Sequence, residues 1–336
     1  MDDFEIRTYK EGDEQAILRM FNFVFHQNRG LAHWYWKYRD HPWGRGAMSL
    51  AFAGDGTLAA HFGGYPIRLH LSLPHEQRRI MPSMLLGDKM SHPAFRHAGL
   101  RKKGVLARTF FHFRDMYGHD LPFGIGFATG HSLRLGRLLF GYMDVEEVPY
   151  KVLQLSDFTF SRWLVMRARF RGIRVVEVKD VDENWTELFH RLSSYYLCLT
   201  VRDATYLRWR YVHRPDKEYM ILALCHGSDL VGWGVFSREE DGLKWVDALL
   251  DPAYTHYTCL LIDAARKQMS AHSSEYMTCW FPERPEWWGD TLHHLGFIRQ
   301  PEPNAIHLSG PEFSFAQGED MLRRFFYYTM GDSDLY

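Results

Sequence analysis

The feature that most constrains the fold of this chain is an internal repeat. Residues 36–42 (WKYRDHP) are similar to residues 209–215 (WRYVHRP), 173 positions later. Further similar positions follow in the same order, with offsets that shrink towards the end of the repeat, and such self-similarity indicates a duplicated unit. They are residues 54 and 227, residues 92–95 and 251–254, and residues 139–142 and 294–297.

Both copies predict the same succession of elements. A strand and an amphipathic helix lead into a short aromatic helix, a hairpin and a long strand. A turn marked by proline then opens a long helix, predicted over residues 99–116 in the first copy, and a strand, a short helix and a closing strand follow. Meander and crossover connections together predict a mixed α/β fold with helices flanking each sheet.

The repeat divides the chain of 336 residues into two domains. Residues 1–155 form the predicted N-terminal domain and residues 175–311 the C-terminal domain. Between them, residues 156–174 are predicted to be a basic linker, interpreted as solvated, with an acidic lipid or polymer as the alternative partner. Residues 312–336 are predicted to be a C-terminal tail.

The charge balance excludes some classes of partner. The formal net charge is −1, so the whole-chain charge would not hold it on nucleic acid, and any anion site must be local. The four cysteines, without a CxxC pair, are expected to be reduced core thiols, and no metal site is predicted. We expect a cytoplasmic protein, because the sequence has neither a signal peptide nor an apolar run of about 20 residues.

The segment from His92 to Gly99 is the predicted anion site. It lies between a strand and a predicted helix, and the first turn of a helix presents free N–H groups and a partial positive charge. Gly99 would allow the backbone to approach a phosphate, and Arg96 could add a charge-assisted hydrogen bond. Residues 101–103 (RKK) make the expected helix start locally basic.

Residues 87–100 (GDKMSHPAFRHAGL) resemble the central motif of the GNAT acetyltransferase superfamily, a strand followed by Pro-x-x-Arg-x-x-Gly. Residues 129–132 and 139–142 resemble its second motif. The resemblance implies tandem GNAT-like domains, acetyl-coenzyme A as co-substrate, and backbone groups that polarise the thioester. Arg101 stands where the motif has Gly or Ala, and Arg137 where many members have a tyrosine acid. The implied cofactor-binding residues are Lys89, Met90, Ser91, Arg96, His97, Ala98, Gly99, Leu100, Arg101 and Ser132.

By the same resemblance, the acetyl group passes directly to a primary amine of a small molecule or amino sugar. The amine must lose a proton, so a base near the strand is needed. Asp88, His92 and His131 are the candidate bases, and Tyr142 is the candidate acid.

In the second copy the loop is degenerate, with Thr255 and Thr258 where arginine and glycine would stand. We therefore expect coenzyme A to bind the first copy alone. Two alternatives stay open: an aminoacyl transferase that extends cell-wall peptides, and a non-catalytic binding protein on the same fold. The oligomeric state, monomer or homodimer, is also open.

Overall fold

The computed structural model describes residues 4–98, 104–240, 242–269, 275–314 and 317–336, which form two compact units. The first unit takes the described parts of residues 1–68, 81–146 and 306–323. The second takes residues 69–80, 147–305 and 324–336, again where described. The chain therefore passes between the units several times, whereas the sequence predicts one domain after the other.

The strands within the described residues are, in chain order, β1 (Glu5–Thr8), β2 (Ala47–Phe52), β3 (Leu58–Leu71), β4 (Arg79–Ser91), β5 (Gly124–Ala128), β6 (Tyr142–Glu147), β7 (Lys151–Gln154), β8 (Ile173–Val178), β9 (Cys198–Thr200), β10 (Met220–His226), β11 (Asp229–Glu239), β12 (Gly242–Leu250), β13 (Tyr276–Cys279), β14 (Ile298–Arg299), β15 (His307–Pro311) and β16 (Phe326–Tyr327).

The α-helices are α1 (Glu14–Phe25), α2 (Leu31–Trp34), α3 (Val105–Tyr117), α4 (Gly130–Leu135), α5 (Arg162–Phe170), α6 (Glu183–Leu192), α7 (Ala204–Leu207), α8 (Thr258–Met269), α9 (Glu286–His294) and α10 (Gly318–Phe325). The aromatic elements of the repeat are π-helical turns, Tyr35–Arg39 and Arg208–Val212. Each proline-marked turn is a 3-10 helix, Pro93–Ala98 in the first copy and Pro252–Tyr257 in the second.

Both sheets are mixed, and each contains at least one strand from outside its own stretch of sequence. In the first unit the order is β1-β2-β3-β4-β5-β15-β6, with β4 parallel to β5 and β15 antiparallel to β5. In the second it is β14-β7-β13-β12-β11-β10-β8, with β12 parallel to β13. The units exchange β7 and β15, so their boundaries differ from the predicted limits of 155, 175 and 311.

The core of the first unit forms between α3 and the sheet. Met84 and Leu86 lie two positions apart on β4 and therefore point to the same face. They pack with Phe62, Phe110 and Phe113 in one buried cluster. This packing fixes β4 against α3, and the second half of β4 then continues into the candidate site.

Two predicted non-domain segments have defined structure. The predicted linker contains α5, which lies in the second unit. The predicted tail contains α10 and β16, and its residues Thr329 and Ser333 are fully buried. Among the described residues, no helix combines the length and hydrophobicity needed to cross a bilayer.

Candidate active site

The candidate site begins where β4 and β5 part in the first unit. The two strands pair in parallel at Met84 and Leu85, opposite Gly124 and Ile125. β4 then continues to Ser91 and β5 to Ala128, but no further pairs join them within these described strands. Backbone groups along a parted strand are free to bind an extended ligand, as at an exposed sheet edge.

Asp88 interrupts β4 at this opening. Its φ of 53° is left-handed, a backbone state that aspartate tolerates better than most residues. Its carboxylate is buried and accepts hydrogen bonds from Arg29 Nη1 at 2.6 Å and from Tyr38 Oη at 2.7 Å. Lys37 Nζ lies 3.1 Å from the other carboxylate oxygen. The backbone is therefore held in its unusual conformation by three side chains.

This environment argues against the predicted role of Asp88 as a base. Burial raises the pKa of a carboxyl group, but here the charges of Arg29 and Lys37 and the Tyr38 hydrogen bond outweigh it and hold the pKa of Asp88 well below its usual range. A carboxylate that is such a weak base, and whose two oxygens both have partners, cannot take a proton from an amine near neutral pH.

The same cluster recurs in the second unit. Tyr211 donates a hydrogen bond of 2.7 Å to Asp247, and Arg202 Nε lies 3.1 Å from the same carboxylate. Arg202 follows Arg29 by 173 positions, the offset that also relates Tyr211 to Tyr38. Arg29 and Arg202 are residues that the sequence comparison missed, although the repeat offset could have identified them.

In the second unit, however, the chain itself covers the cluster. Asp332 pairs with Arg202 at 2.6 Å, and Thr329 donates a hydrogen bond of 2.9 Å to Asp247. We call residues 329–333 the covering segment. A Cβ at Gly331 would lie 2.0 Å from the Tyr211 hydroxyl, so this segment needs glycine there. Its fit packs this part of the predicted tail into the second unit.

His61, on β3, is a further residue that the sequence analysis missed. Its Nδ1 donates to the carbonyl oxygen of Asp88 at 2.8 Å, since a carbonyl can only accept. Its Nε2 therefore keeps a lone pair, and that buried atom has no partner among the described residues. Burial lowers the pKa of His61 to about 4, so the ring is neutral near pH 7. In sequence, it is only one histidine in an apolar strand.

The other candidate catalytic residues lie apart from Asp88. His92 directly follows β4, four residues or about 13 Å beyond Asp88 along the chain. It stacks on Phe23, and its Nδ1 accepts from the backbone N–H of Ala94. Tyr142 is buried in the core, with its ring 4.8 Å from Lys89 Nζ.

The hydroxyl of Tyr142 is buried without a hydrogen-bond partner among the described residues. Burial raises its pKa, so the phenol stays protonated. The remaining candidate base, His131, belongs to α4 together with the exposed Ser132; its side chain lies outside the described part of the structure.

The predicted cofactor loop is described in part. Arg96, His97 and Ala98 lie in the 3-10 helix that follows β4, while Gly99, Leu100 and Arg101 lie outside the described residues. The exposed Arg96 donates from Nε to the carbonyl of Ser91 at 3.2 Å, and Met90 is buried. The helix begins at Val105 with Gly104 as its N-cap, so its predicted start at residue 99 is wrong.

Two cavities of the first unit, both lined by described residues, bear on the site. One, of about 400 Å³, is lined by Arg19, Phe23, Asp55 and His92 among others, beside the end of β4. The other, of about 260 Å³, is lined mainly by acidic, aromatic and arginine side chains and includes the Tyr38 that contacts Asp88. The aromatic element thus contributes both to the core, through Trp36, and to a cavity wall.

No family model matches the sequence, and a comparison with curated proteins finds no match either. Solved structures are similar in fold. A probable N-acyltransferase from Enterococcus faecalis matches 93% of this chain and 73% of its own, with a TM-score of 0.67 and 12% identity. A GCN5-related N-acetyltransferase from Anabaena variabilis matches 92% and 72%, with a TM-score of 0.65 and 12% identity.

A tandem GNAT protein from the clavulanic acid biosynthesis pathway matches 92% of this chain and 98% of its own, with a TM-score of 0.54 and 11% identity. Identities this low establish the fold alone. Together with the two mixed sheets, they confirm the predicted fold class, an α/β chain of two GNAT-like domains.

Replacing Asp88 by asparagine should lower the free energy of unfolding by about 3–5 kcal/mol, because Arg29 and Lys37 would stay buried without their counter-charge. Asparagine tolerates the left-handed backbone, so the effect would be electrostatic. The matched change Asp247→Asn should cost less, since Arg202 keeps Asp332. Urea unfolding of both variants measures this, and an equal or larger loss in Asp247→Asn would contradict it.

Acid should destabilise the protein through His61. Because its pKa is about 4 when folded and ordinarily about 6.5, the unfolded chain binds the proton more readily between those values. The free energy of unfolding therefore falls as the pH drops through this window, by up to about 3 kcal/mol from this group. In His61→Asn that contribution should vanish, while the one from His41, whose pKa burial lowers to about 3, remains. Urea unfolding of both proteins from pH 7 to 4 gives the slope of the unfolding free energy against pH. Identical slopes in the unchanged protein and in His61→Asn would refute the assignment.

Proposed function

We propose that this chain, which carries the GNAT fold twice, is an acyl-coenzyme-A-dependent N-acyltransferase whose first unit performs the transfer. The observation that carries the proposal is the contrast between the two clusters. In the first unit the parted strands and the Asp88 cluster lie beside cavities, whereas in the second unit the covering segment lies on Asp247. A cosubstrate site is therefore proposed in one copy only.

The coenzyme would lie along the second half of β4, with its diphosphate near the 3-10 helix and the start of α3. Arg96 presents an exposed guanidinium there, and Gly104 caps a helix of 13 residues whose first N–H groups attract anions. The motif residues Gly99, Leu100 and Arg101 belong to this proposal by resemblance. Acetyl-coenzyme A is the proposed acyl donor.

The first unit also offers groups for the chemical step. The acceptor nitrogen attacks the thioester carbonyl, the N–C bond forms, and the C–S bond breaks to release the coenzyme thiolate. Attack makes the nitrogen acidic, and a neutral imidazole can then take its proton even when its own pKa is low. We assign this step to His61 Nε2, which is free and held in one tautomer by Asp88. Tyr142, which is protonated until the sulfur leaves, is the proposed proton donor to that sulfur.

The proposed acceptor is a primary amine of a small molecule or amino sugar. The cavity of about 260 Å³ is lined by the carboxylate of Glu14 and the rings of Tyr9, Trp34 and Tyr35, together with Arg39 and Arg45. A carboxylate and aromatic faces both attract an ammonium group, and aromatic rings also stack on sugars. Tyr38 connects this cavity to Asp88 and hence to the opening of β4.

Calorimetry with acetyl-coenzyme A should find one equivalent bound per chain. Arg96→Ala should raise the dissociation constant about tenfold, because it removes a charge-assisted contact to phosphate. Arg114→Ala, a change at another exposed arginine of the same unit, is the matched control and should leave binding unchanged. Two equivalents would contradict the assignment to the first unit, and no binding would exclude the proposed co-substrate.

His61→Asn should reduce kcat by about 100-fold or more, the usual size of a lost general base, with acetyl-coenzyme A affinity unchanged. Asparagine can keep the donor to the Asp88 carbonyl while it lacks the basic nitrogen. The readout is thiol release with a panel of primary amines, and His119→Gln, at an exposed histidine, is the control. Full activity of His61→Asn would remove His61 from the mechanism without affecting the rest.

A further inference from the structure

We propose that helix α5 is a docking surface for an anionic lipid membrane. Three large apolar side chains of this helix are exposed: Trp163 at 77%, Met166 at 50% and Phe170 at 87%. Their spacing of three and four residues places them on one side of the helix. Single exposed apolar residues are common on proteins, but a contiguous stripe with a tryptophan and a phenylalanine indicates an interaction site.

The helix also has a buried side, so it is anchored on the second unit. Ala168 is buried, and Leu164 and Val165 are half-buried. These three positions lie on the opposite side of the helix from the exposed stripe, by the periodicity of 3.6 residues. Gly172, with a φ of 72°, then turns the chain into β8, which is an edge strand of the sheet of the second unit. The stripe is thus a fixed, outward-facing feature of a folded unit.

The charged residues of α5 and of the segment that follows it to Arg174 are all arginines. Arg167, Arg169 and Arg171 are exposed and, within the described residues, form no ion pair. Arg162 and Arg174 extend the series in sequence, and no acidic residue stands between Asp157 and Glu177. On the helix, Arg167 and Arg169 lie on opposite flanks of the exposed stripe. Since the whole chain has a net charge of −1, this positive surface is local.

An apolar stripe flanked by arginines matches the chemistry of a membrane surface. Tryptophan and phenylalanine enter the region between headgroups and acyl chains, while arginines bind anionic headgroups. A nucleic acid would use the arginines but leave the stripe exposed to water. A second copy of the chain is disfavoured by charge, because a two-fold contact through α5 would bring the arginines of both copies together.

The test is flotation of the whole protein with lipid vesicles. The protein should float with phosphatidylcholine vesicles that contain roughly one third phosphatidylserine, much less with pure phosphatidylcholine, and less at high salt. Trp163→Ser with Phe170→Ser, and separately Arg167→Glu with Arg169→Glu, should each weaken partitioning about tenfold or more. Melting temperatures, measured for each variant, distinguish a loss of docking from a loss of folding.

Matched changes elsewhere serve as controls. Met116→Ser removes an exposed apolar side chain and Arg78→Glu reverses an exposed charge, and both should float like the unchanged protein. Failure of the unchanged protein to float with anionic vesicles would overturn the proposal. So would equal flotation of the Trp163/Phe170 variant. Light scattering that reveals a dimer dissociated by that variant would assign the stripe to a second copy and also overturn it.

Discussion

The buried contact of an arginine and a tyrosine with one aspartate is the constraint on which both units depend. In each unit it joins the aromatic element to the long central strand, through Tyr38 and Asp88 or through Tyr211 and Asp247. Burying charge costs free energy, and only good geometry offsets it, so such a pair adds little net stability while loss of one partner is severe. Its effect is on position: it holds the left-handed backbone of Asp88 at the point where β4 and β5 part.

The two copies balance this buried charge differently. In the first unit Arg29 and Lys37 lie against one carboxylate, which leaves an excess of positive charge beside the opening. In the second unit two carboxylates share Arg202, and burial together with the Asp332 charge raises the pKa of Asp247. A positive excess suits a reaction whose intermediate places negative charge on a carbonyl oxygen. The charge balance thus agrees with the proposal that the first unit performs the transfer.

Much of the fold could be predicted from the sequence, because the repeat carries it. Its offset of 173 identified the aromatic elements and would have identified Arg29 with Arg202. The exchange of β7 and β15 could not be predicted, since a strand pattern does not specify which sheet the strand joins. The predicted start of helix α3 was misplaced because either Gly99 or Gly104 can precede a helix. In the structure, Gly104 is the N-cap.

The site residues were harder to predict because a residue's chemistry depends on its partners. Asp88 has the type and position of a base, yet its neighbours fix it as a structural anion. His61 has no motif at all; it becomes a candidate only because a strand pairing brings it to the Asp88 carbonyl. The solvent exposure of a side chain is equally hard to predict from the sequence. Trp163, in a basic segment, is compatible with either a core or a surface position.

Duplication explains how such different uses can coexist in one chain. In the second unit the chain itself covers the aspartate, through Thr329 and the close approach of Gly331 to Tyr211. On the two proposals together, the first unit retains the opening at Asp88 for chemistry, and the second carries an exposed helix that would recruit the enzyme to a charged surface. On these proposals, the first unit would serve catalysis and the second unit, through α5, would serve placement at the membrane.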